Sequence, residues 1–241
     1  MLIICFCHGW PKLLFCEEVD KVDGICDNSS RICLTFDDCY TNWLTIASRY
    51  EDCTFTFFVS GEALPYRVAI VQKLIKNNHS IQNHSISHTN LNKITKPKRE
   101  AFLESDILRQ DQLLQRLGAS KPTVFAFPYG CTNRDWNNRL LSHYQKLRGV
   151  GTLLNLPYYY SKKEFDETKI IKSVKLYNYR FFSDRYFCFY VDRMIAKLKR
   201  EPSVVVLTSH QIGKAKYGIK LERLDYLVKK AKENGIMLTS L

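Results

Sequence analysis

The sequence predicts an α/β protein built on a parallel sheet. Short apolar runs recur along the 241 residues, segments with helical spacing separate them, and strand and helix alternate from residue 31 onwards. Alternation of this kind is typical of βα units, in which a helix connects neighbouring parallel strands. The length suits one α/β barrel domain, and 45% hydrophobic residues are enough to build its core.

Each predicted element is recognised by its period and its borders. Pro97 begins the longest helix and Gly118 ends it, while Pro202 stops the next-to-last helix and Gly235 follows the last one. The helices are predicted over residues 42–50, 66–76, 97–118, 136–147, 187–198 and 221–231. The strands are predicted over residues 31–36, 80–83, 150–154, 204–206 and 236–240, and a long loop follows residue 154.

Two aspartates and two histidines stand at the ends of predicted strands. Asp37 and Asp38 follow the first strand, and His84 and His88 follow the strand that ends at residue 83. The i to i+4 spacing of the histidines places both rings on one side of a helical turn. Two imidazoles and one carboxylate leave open positions on Zn²⁺, and the second carboxylate can accept a proton from water. The sequence therefore predicts a hydrolytic metal site at the carboxyl end of the sheet.

Alone, each of these patterns has an ordinary structural explanation. An Asp-Asp pair is usually a loop or helix start, and an H-x-x-x-H pair is usually a feature of a surface helix. Their joint occurrence behind strand-like runs, in a chain with six histidines, favours the metal site. The same donors also suit Fe(II) for oxygen chemistry, and that alternative stays open.

At these residues the chain resembles the polysaccharide deacetylases of the NodB-homology type, also called carbohydrate esterase family 4. The resemblance runs from about residue 31 to residue 241. The matching segments are T-F-D-D at 35–38, T-F-T-F-F-V-S-G at 54–61, H-S-I-S-H at 84–88 and L-T-S-H at 207–210. The resemblance implies a distorted (β/α) barrel of about seven parallel strands. It also implies Asp37 as general base, with Asp38, His84 and His88 as ligands of a divalent metal ion, expected to be Zn²⁺.

The third and fourth motifs depart from the family pattern. The segment F-A-F-P-Y-G at 125–130 has Ala126 where the family commonly has arginine, and it is closest to members that resemble poly-N-acetylglucosamine deacetylases. We therefore expect the base to lack its usual guanidinium neighbour, while the Tyr129 N–H would help to hold the oxyanion. The Asp- and Trp-containing fourth motif is not recognisable after the strand predicted at 150–154.

The fifth motif makes His210 the general acid that protonates the leaving amine, by resemblance. A carboxylate beside it is needed to orient the imidazole, and Asp166 in the predicted long loop is the candidate. Cys39 stands where the family usually has glycine. It would crowd the metal, be oxidised there, or simply pack in the core.

Residues 1–30 lie outside the resemblance and are predicted to be an N-terminal extension that packs on the barrel, with an added edge strand over residues 2–7. That apolar segment is far too short to span a bilayer and lacks the flanks of a signal peptide. Nine cysteines without a C-x-x-C pair indicate neither a disulfide framework nor a zinc ribbon. These observations favour a cytoplasmic or membrane-peripheral location and leave an extracytoplasmic one open.

A net charge of +12 favours anionic partners, such as an acidic glycan or a lipid-linked phosphosugar. No aromatic-basic module predicts nucleic-acid binding. Tyr158, Tyr159 and Tyr160 are expected either to stack on sugar rings or to pack on the barrel rim.

The sequence thus predicts a metal-dependent hydrolase that removes N-acetyl groups from an amino-sugar polysaccharide or glycan. The alternatives are another C–N hydrolase on the same fold, such as a lipid-linked sugar deformylase or an allantoinase-like enzyme, and a non-catalytic glycan-binding relative. Metal analysis and acetate release would separate these classes.

Overall fold

Strand pairing closes the sheet into a barrel. A computed structural model of the protein describes residues 29–151 and 156–241. Within these ranges seven parallel strands follow one another around the barrel, and β1 closes the ring by pairing with both β2 and β7. They are β1 (Arg31–Asp38), β2 (Thr56–Val59), β3 (Ser80–Asn83), β4 (Val124–Ala126), β5 (Lys146–Val150), β6 (Ile170–Lys175) and β7 (Val204–Ser209). The predicted parallel (β/α) barrel is confirmed.

One further described strand, β8 (Met237–Thr239), shares an edge of β1 with β2. It pairs with Arg31–Cys33 at the start of β1, whereas β2 pairs with Thr35–Asp38 at its end. The long first strand therefore contacts three neighbours. This arrangement fixes the position of its carboxyl end, where the two aspartates lie.

The described helices connect the strands and pack on the outside of the barrel. They are α1 (Trp43–Arg49), α2 (Val68–Lys76), α3 (Arg99–Phe102), α4 (Arg109–Arg116), α5 (Arg134–Leu140), α6 (Lys162–Glu167), α7 (Asp184–Arg200) and α8 (Leu221–Glu233). A π-helical segment, Leu103–Leu108, joins α3 to α4, so the long helix predicted here is confirmed with an internal change of winding. None of these helices combines the length and apolar character needed to cross a membrane.

Side chains of β1 alternate between two cores. Ile32 and Phe36 belong to the large cluster that the strands share with the helices. Cys33 instead packs with Val206 inside the barrel. Because successive strand residues point to opposite faces, Asp37 lies on the inward side with Cys33. The alternation of side chains along β1 thus places Asp37, the predicted base, at the mouth of the barrel.

The chain between residues 134 and 175 differs from the sequence prediction. Helix α5 ends at Leu140, and β5 begins at Lys146, within the predicted helix and before the predicted strand 150–154. Residues 152–154 of that predicted strand lie outside the described residues. Pairing with β4 and β6 outweighs the local helical spacing here. The predicted long loop instead contains α6 and β6.

The three consecutive tyrosines lie away from the carboxyl ends of the strands. Tyr160 is buried and forms a bridge with Val204, the first residue of β7. The ring of Tyr158 lies 4.3 Å from that of Tyr160, centroid to centroid. These tyrosines therefore pack at the amino-terminal end of the barrel. The edge strand predicted over residues 2–7 lies outside the described residues.

Candidate active site

The carboxyl ends of the strands surround a cavity of about 340 Å³. All six residues singled out by sequence line it: Asp37, Asp38, His84, His88, Tyr129 and His210. They come from the ends of β1, β3, β4 and β7, as expected for a parallel barrel. The structure thus brings together residues that lie up to 173 positions apart in the chain.

Asp38, His84 and His88 form a group with the geometry of metal ligands. One ligand atom from each lies within 4.8 Å of the others. Asp38 Oδ1 is 3.5 Å from His84 Nε2 and 3.2 Å from His88 Nε2. Among the described residues this buried oxygen has no hydrogen-bond partner. A buried carboxylate oxygen is costly without a partner, so these donors fit a divalent metal ion.

The electrostatics of this group favour an ionised carboxylate. Burial opposes ionisation of Asp38, but the imidazoles of His84, His210 and His88 outweigh it and lower the pKa of the carboxyl when they are protonated, as they would be without a metal ion at low pH. Burial also lowers the pKa of His88, which favours the neutral imidazole. An ionised carboxylate and neutral imidazoles are the forms that bind a metal.

The ring of His84 is held by a backbone carbonyl. Its Nδ1 lies 2.8 Å from the carbonyl oxygen of Ala126, at the end of β4. Because a carbonyl can only accept, this contact assigns the proton to Nδ1 and leaves the Nε2 lone pair facing Asp38. Ala126 thus contributes its main chain to the site.

The two histidines lie on a loop, and the helical turn predicted for them is wrong. The chain leaves β3 at His84, and both Ser85 (φ 64°) and His88 (φ 49°) adopt left-handed backbone conformations. Such conformations interrupt a right-handed helix. The rings still come together, with centroids 4.9 Å apart.

Asp106, from the π-helical segment, anchors this loop. Its two carboxylate oxygens accept the backbone N–H groups of Ile86 and Ser87, at 3.1 and 3.0 Å. The Asp106 side chain is buried, so these are interactions of a charged acceptor shielded from water. Sequence reasoning missed this residue, because nothing local to Asp106 indicates a partner 20 positions away.

The predicted base, Asp37, forms a buried ion pair with Arg148. Arg148 Nη2 donates a 2.5 Å hydrogen bond to Asp37 Oδ1, and Thr208 Oγ1 lies 3.5 Å from Oδ2. Arg148 is fully buried, and its guanidinium carbon lies 4.8 Å from the centroid of the Phe58 ring. The expectation that Asp37 lacks a guanidinium neighbour is therefore wrong, because β5 supplies one.

Cys39 occupies a backbone conformation that suits glycine. Its φ is 127°, a region that side chains rarely adopt. The side chain is buried in the main hydrophobic cluster, and burial raises the pKa of the thiol to about 12. Of the possibilities expected from the sequence, which were crowding of the metal, oxidation and packing, the structure supports packing.

His210 lies beside the ligand group without completing it. Its Nε2 is 3.7 Å from Asp38 Oδ2, and its ring lies 5.1 Å from that of Tyr177. Burial lowers the pKa of His210, whereas the charges of Asp37 and Asp38 oppose that shift. The backbone is fixed by Trp43, whose indole N–H donates to the His210 carbonyl at 2.6 Å.

Asp166 is not the partner of His210. It lies on α6, where its backbone carbonyl accepts a 3.1 Å hydrogen bond from Lys146 at the start of β5. His210 follows the carboxyl end of β7, so the two residues belong to opposite ends of the barrel. Within the described ranges, His210 Nδ1 is buried without a hydrogen-bond partner.

Tyr129 lies in the turn after β4. Its φ of 61° is left-handed, and its ring is 4.8 Å from that of His88. The next residue, Gly130, approaches β5 so closely that a Cβ would lie 2.1 Å from a Val150 methyl. A side chain is therefore excluded at position 130, and the turn holds Tyr129 at the cavity rim. Its role in binding an oxyanion stays a prediction.

Comparison with known proteins agrees with this geometry. A peptidoglycan-N-acetylglucosamine deacetylase of Bacillus cereus is 30% identical over 107 residues, which cover 43% of this chain and 38% of that protein. A peptidoglycan-N-acetylmuramic acid deacetylase of Bacillus subtilis is 26% identical over 127 residues, covering 51% and 26%. The chain thus matches well under two thirds of the length of these relatives. Their names give no support to the expected cytoplasmic location.

Solved structures and the family model extend the comparison. The crystal structure of a peptidoglycan N-acetylglucosamine deacetylase superposes with a TM-score of 0.61 at 20% identity, covering 88% of this chain and 86% of the other. That similarity concerns the fold. The sequence model of polysaccharide deacetylases matches residues 24–147, just over half of the chain. This chain therefore belongs to the polysaccharide deacetylase family.

Proposed function

We propose that this protein hydrolyses the N-acetyl groups of an amino-sugar polysaccharide or glycan, releasing acetate and a free amine. The observation that supports the proposal most is the arrangement at the end of β1. Asp38 faces two imidazoles there, while the adjacent Asp37 is held apart from them by Arg148. One carboxylate is thus available as a ligand and the other as a base.

A divalent metal ion, Zn²⁺ by our proposal, would be held by Asp38, His84 and His88, and when bound it would acidify water and polarise the acetyl carbonyl. Two observations on the described residues support this assignment: the buried Asp38 Oδ1 has no hydrogen-bond partner, and the contact with the Ala126 carbonyl keeps the His84 proton on Nδ1. Three protein ligands leave room for water and substrate in the coordination sphere.

Asp37 would take the proton of the attacking water. Its Oδ1 accepts from Arg148, so the carboxylate has a fixed orientation and Oδ2 remains as the proton acceptor. The weak contact of Oδ2 with Thr208, at 3.5 Å, does not compete with that role. The Arg148 guanidinium thus acts as a positioning group for Asp37. It comes from β5, a position that the sequence patterns did not predict.

His210 would return a proton to the leaving amine nitrogen, while the Tyr129 N–H would help to hold the developing oxyanion. His210 lines the same cavity as Asp37, and its Nε2 lies 3.7 Å from Asp38 Oδ2, while Asp37 is bound to Arg148; these different contacts support separate roles for base and acid. The net reaction consumes one water and yields acetate and an amine.

Acetate release tests the proposal. Purified protein loaded with Zn²⁺ is incubated with N-acetylglucosamine oligomers, with peptidoglycan fragments and with an N-formylated lipid-linked sugar, and acetate, formate and free amine are quantified. We expect acetate with an equal amount of amine from at least one substrate. His84→Ala should lose bound metal and acetate release together, whereas His143→Ala, in the exposed turn after α5, should lose neither.

Three outcomes would contradict the proposal. Full metal occupancy in His84→Ala would remove that residue from the ligand group. Formate without acetate from a lipid-linked sugar would assign the site to the alternative C–N hydrolase, while metal binding without any product would indicate a glycan-binding relative.

A further inference from the structure

Tyr40 donates a hydrogen bond to the carboxylate that we assign to the metal ion. Its hydroxyl lies 3.1 Å from Asp38 Oδ2. The other oxygen of the same carboxylate, Oδ1, faces His84 Nε2 and His88 Nε2 at 3.5 and 3.2 Å. The two oxygens of Asp38 therefore have different surroundings. Tyr40 lines the cavity, yet the proposed reaction gives it no role.

His210 is the other group near Asp38 Oδ2. Its Nε2 is 3.7 Å from that oxygen, which is too far for a hydrogen bond. Within the part of the chain that the structure describes, Tyr40 is thus the hydrogen-bond donor to Oδ2. A phenol is protonated near neutral pH, so the hydroxyl donates and the carboxylate accepts. Hydrogen bonds to an ionised acceptor are stronger than those between neutral groups.

The turn after β1 brings Tyr40 back to a residue two positions earlier. Asp38 and Cys39 both have positive φ, 85° and 127°, which is costly for residues other than glycine. Such strain persists only where the surrounding contacts maintain it. Ser60 supplies two of these contacts, because its backbone N–H and its hydroxyl both donate to the Asp38 carbonyl at 2.9 Å. The main chain and the side chain of Asp38 are therefore held by different residues.

The ring and the backbone of Tyr40 are fixed as well. The ring packs against the large hydrophobic cluster and lies edge-on to the ring of Trp43, with centroids 6.4 Å apart. Trp43 is fully buried, and its backbone N–H donates to the Tyr40 carbonyl at 3.1 Å. These contacts set the direction of the Tyr40 hydroxyl before any ion or substrate binds.

We infer that Tyr40 is a positioning residue for Asp38: by holding Oδ2, it keeps Oδ1 turned towards His84 and His88 and so preorganises the ligand group for a divalent metal ion. The inference rests on the function proposed above, which requires that ion. Groups that orient a ligating side chain typically contribute about 10- to 100-fold to metal affinity. Tyr40 would act through Asp38 and not on the substrate.

Removing the hydroxyl alone tests the inference. Tyr40→Phe keeps the ring that packs on Trp43, so the variant should remain folded. We expect it to bind Zn²⁺ about tenfold or more weakly than wild type, measured by competition with a chelator. Tyr50→Phe is the matched control. It also removes a tyrosine–aspartate hydrogen bond, 2.7 Å to Asp225 on α8, and should keep the wild-type affinity because this pair does not line the cavity.

Two further measurements distinguish positioning from a direct role. At Zn²⁺ concentrations that saturate Tyr40→Phe, acetate release should return to most of the wild-type rate. A rate that stays low with the metal fully bound would place the hydroxyl on the substrate and overturn the inference. Adding Zn²⁺ to metal-free wild type should produce no tyrosinate absorbance. A tyrosinate band that Tyr40→Phe lacks would make Tyr40 a ligand itself, which also contradicts the inference.

Metal affinity separates this inference from the deacetylase proposal. Equal Zn²⁺ affinities of wild type, Tyr40→Phe and Tyr50→Phe would overturn the role of Tyr40 and leave deacetylation intact. If the wild type binds Zn²⁺ but no glycan releases acetate, the same three affinities still decide. If the wild type binds no Zn²⁺, the ligand group is refuted, and the positioning role of Tyr40 is refuted with it.

Discussion

Arg148 on β5 donates a 2.5 Å hydrogen bond to Asp37 on β1, across 111 positions of sequence. The position where family members commonly carry the arginine holds Ala126, whose carbonyl instead fixes His84. A guanidinium thus lies beside the proposed base, although it comes from a different strand. Because both partners are buried, we expect the pair to affect folding as well as the proposed catalysis.

Removing the guanidinium should therefore destabilise the protein. Arg148→Met leaves Asp37 buried without its ionic partner, and loss of one partner of a buried pair typically costs about 3–5 kcal/mol of unfolding free energy. Denaturant unfolding measures the change. Arg49→Met, which removes an exposed ion pair with Asp225, should lower the unfolding free energy far less, because solvent screens that pair. Equal costs for the two variants would show that burial adds nothing to the Arg148 pair.

The loop anchor predicts an effect on metal affinity from outside the ligand group. Asp106→Asn keeps the size of the side chain but replaces one of the two oxygens that accept the Ile86 and Ser87 N–H groups. Changes in groups that orient ligands typically weaken metal binding about 10- to 100-fold. Competition with a chelator measures the affinity. Glu104→Gln, which changes an exposed residue of the same segment, is the control. An unchanged metal affinity in Asp106→Asn would mean that the loop keeps its conformation without the Asp106 carboxylate.

Strain at Cys39 predicts an inverted order of small substitutions. At φ 127° alanine is strained and glycine is not, so Cys39→Gly should be more stable than Cys39→Ala by about 1 kcal/mol. At Cys33, within β1, the order should be reversed, since glycine in a strand is destabilising. Thermal or denaturant unfolding of the four variants provides the comparison. The same order at both positions would argue against strain at Cys39.

The role of His210 can be separated from metal binding. His210→Ala should retain the metal, because the ligand group lies on Asp38, His84 and His88. Amide hydrolysis should fall by about 10²-fold or more, while esters with good leaving groups, which need little protonation, should be spared. Equal losses on amide and activated ester would indicate substrate positioning instead of acid catalysis.

Much of the site could be predicted from the sequence, because its chemistry follows directly after regular strands. Asp37 and Asp38 end an apolar run, and His84 follows Ser80–Asn83, which the structure confirms at the predicted bounds. The prediction that the histidines share a helical turn failed, because an i to i+4 spacing also fits a loop. The left-handed conformation of Ser85 leaves no pattern in the sequence.

The missed elements share one cause. β6 has polar Ser173 and Lys175 on its inward face, so it lacks the continuous apolar run of a buried strand. The sequence patterns also fail to predict Arg148 as a neighbour of Asp37, because the first residues of β5 fall within the helix predicted over residues 136–147. In both β5 and β6, polar side chains point into the barrel near its mouth, where the candidate active site lies. Hydrophobic periodicity is least informative there.

The most direct test of the account is acetate release by Asp37→Asn, with metal content measured on the same sample. Asparagine keeps the shape of the side chain but cannot accept the proton of water. We expect full metal occupancy, lower stability from the unpaired Arg148, and a turnover at least about 10²-fold below wild type at a temperature where the variant is folded. Near-wild-type acetate release with metal bound would contradict the assignment of Asp37 as the base.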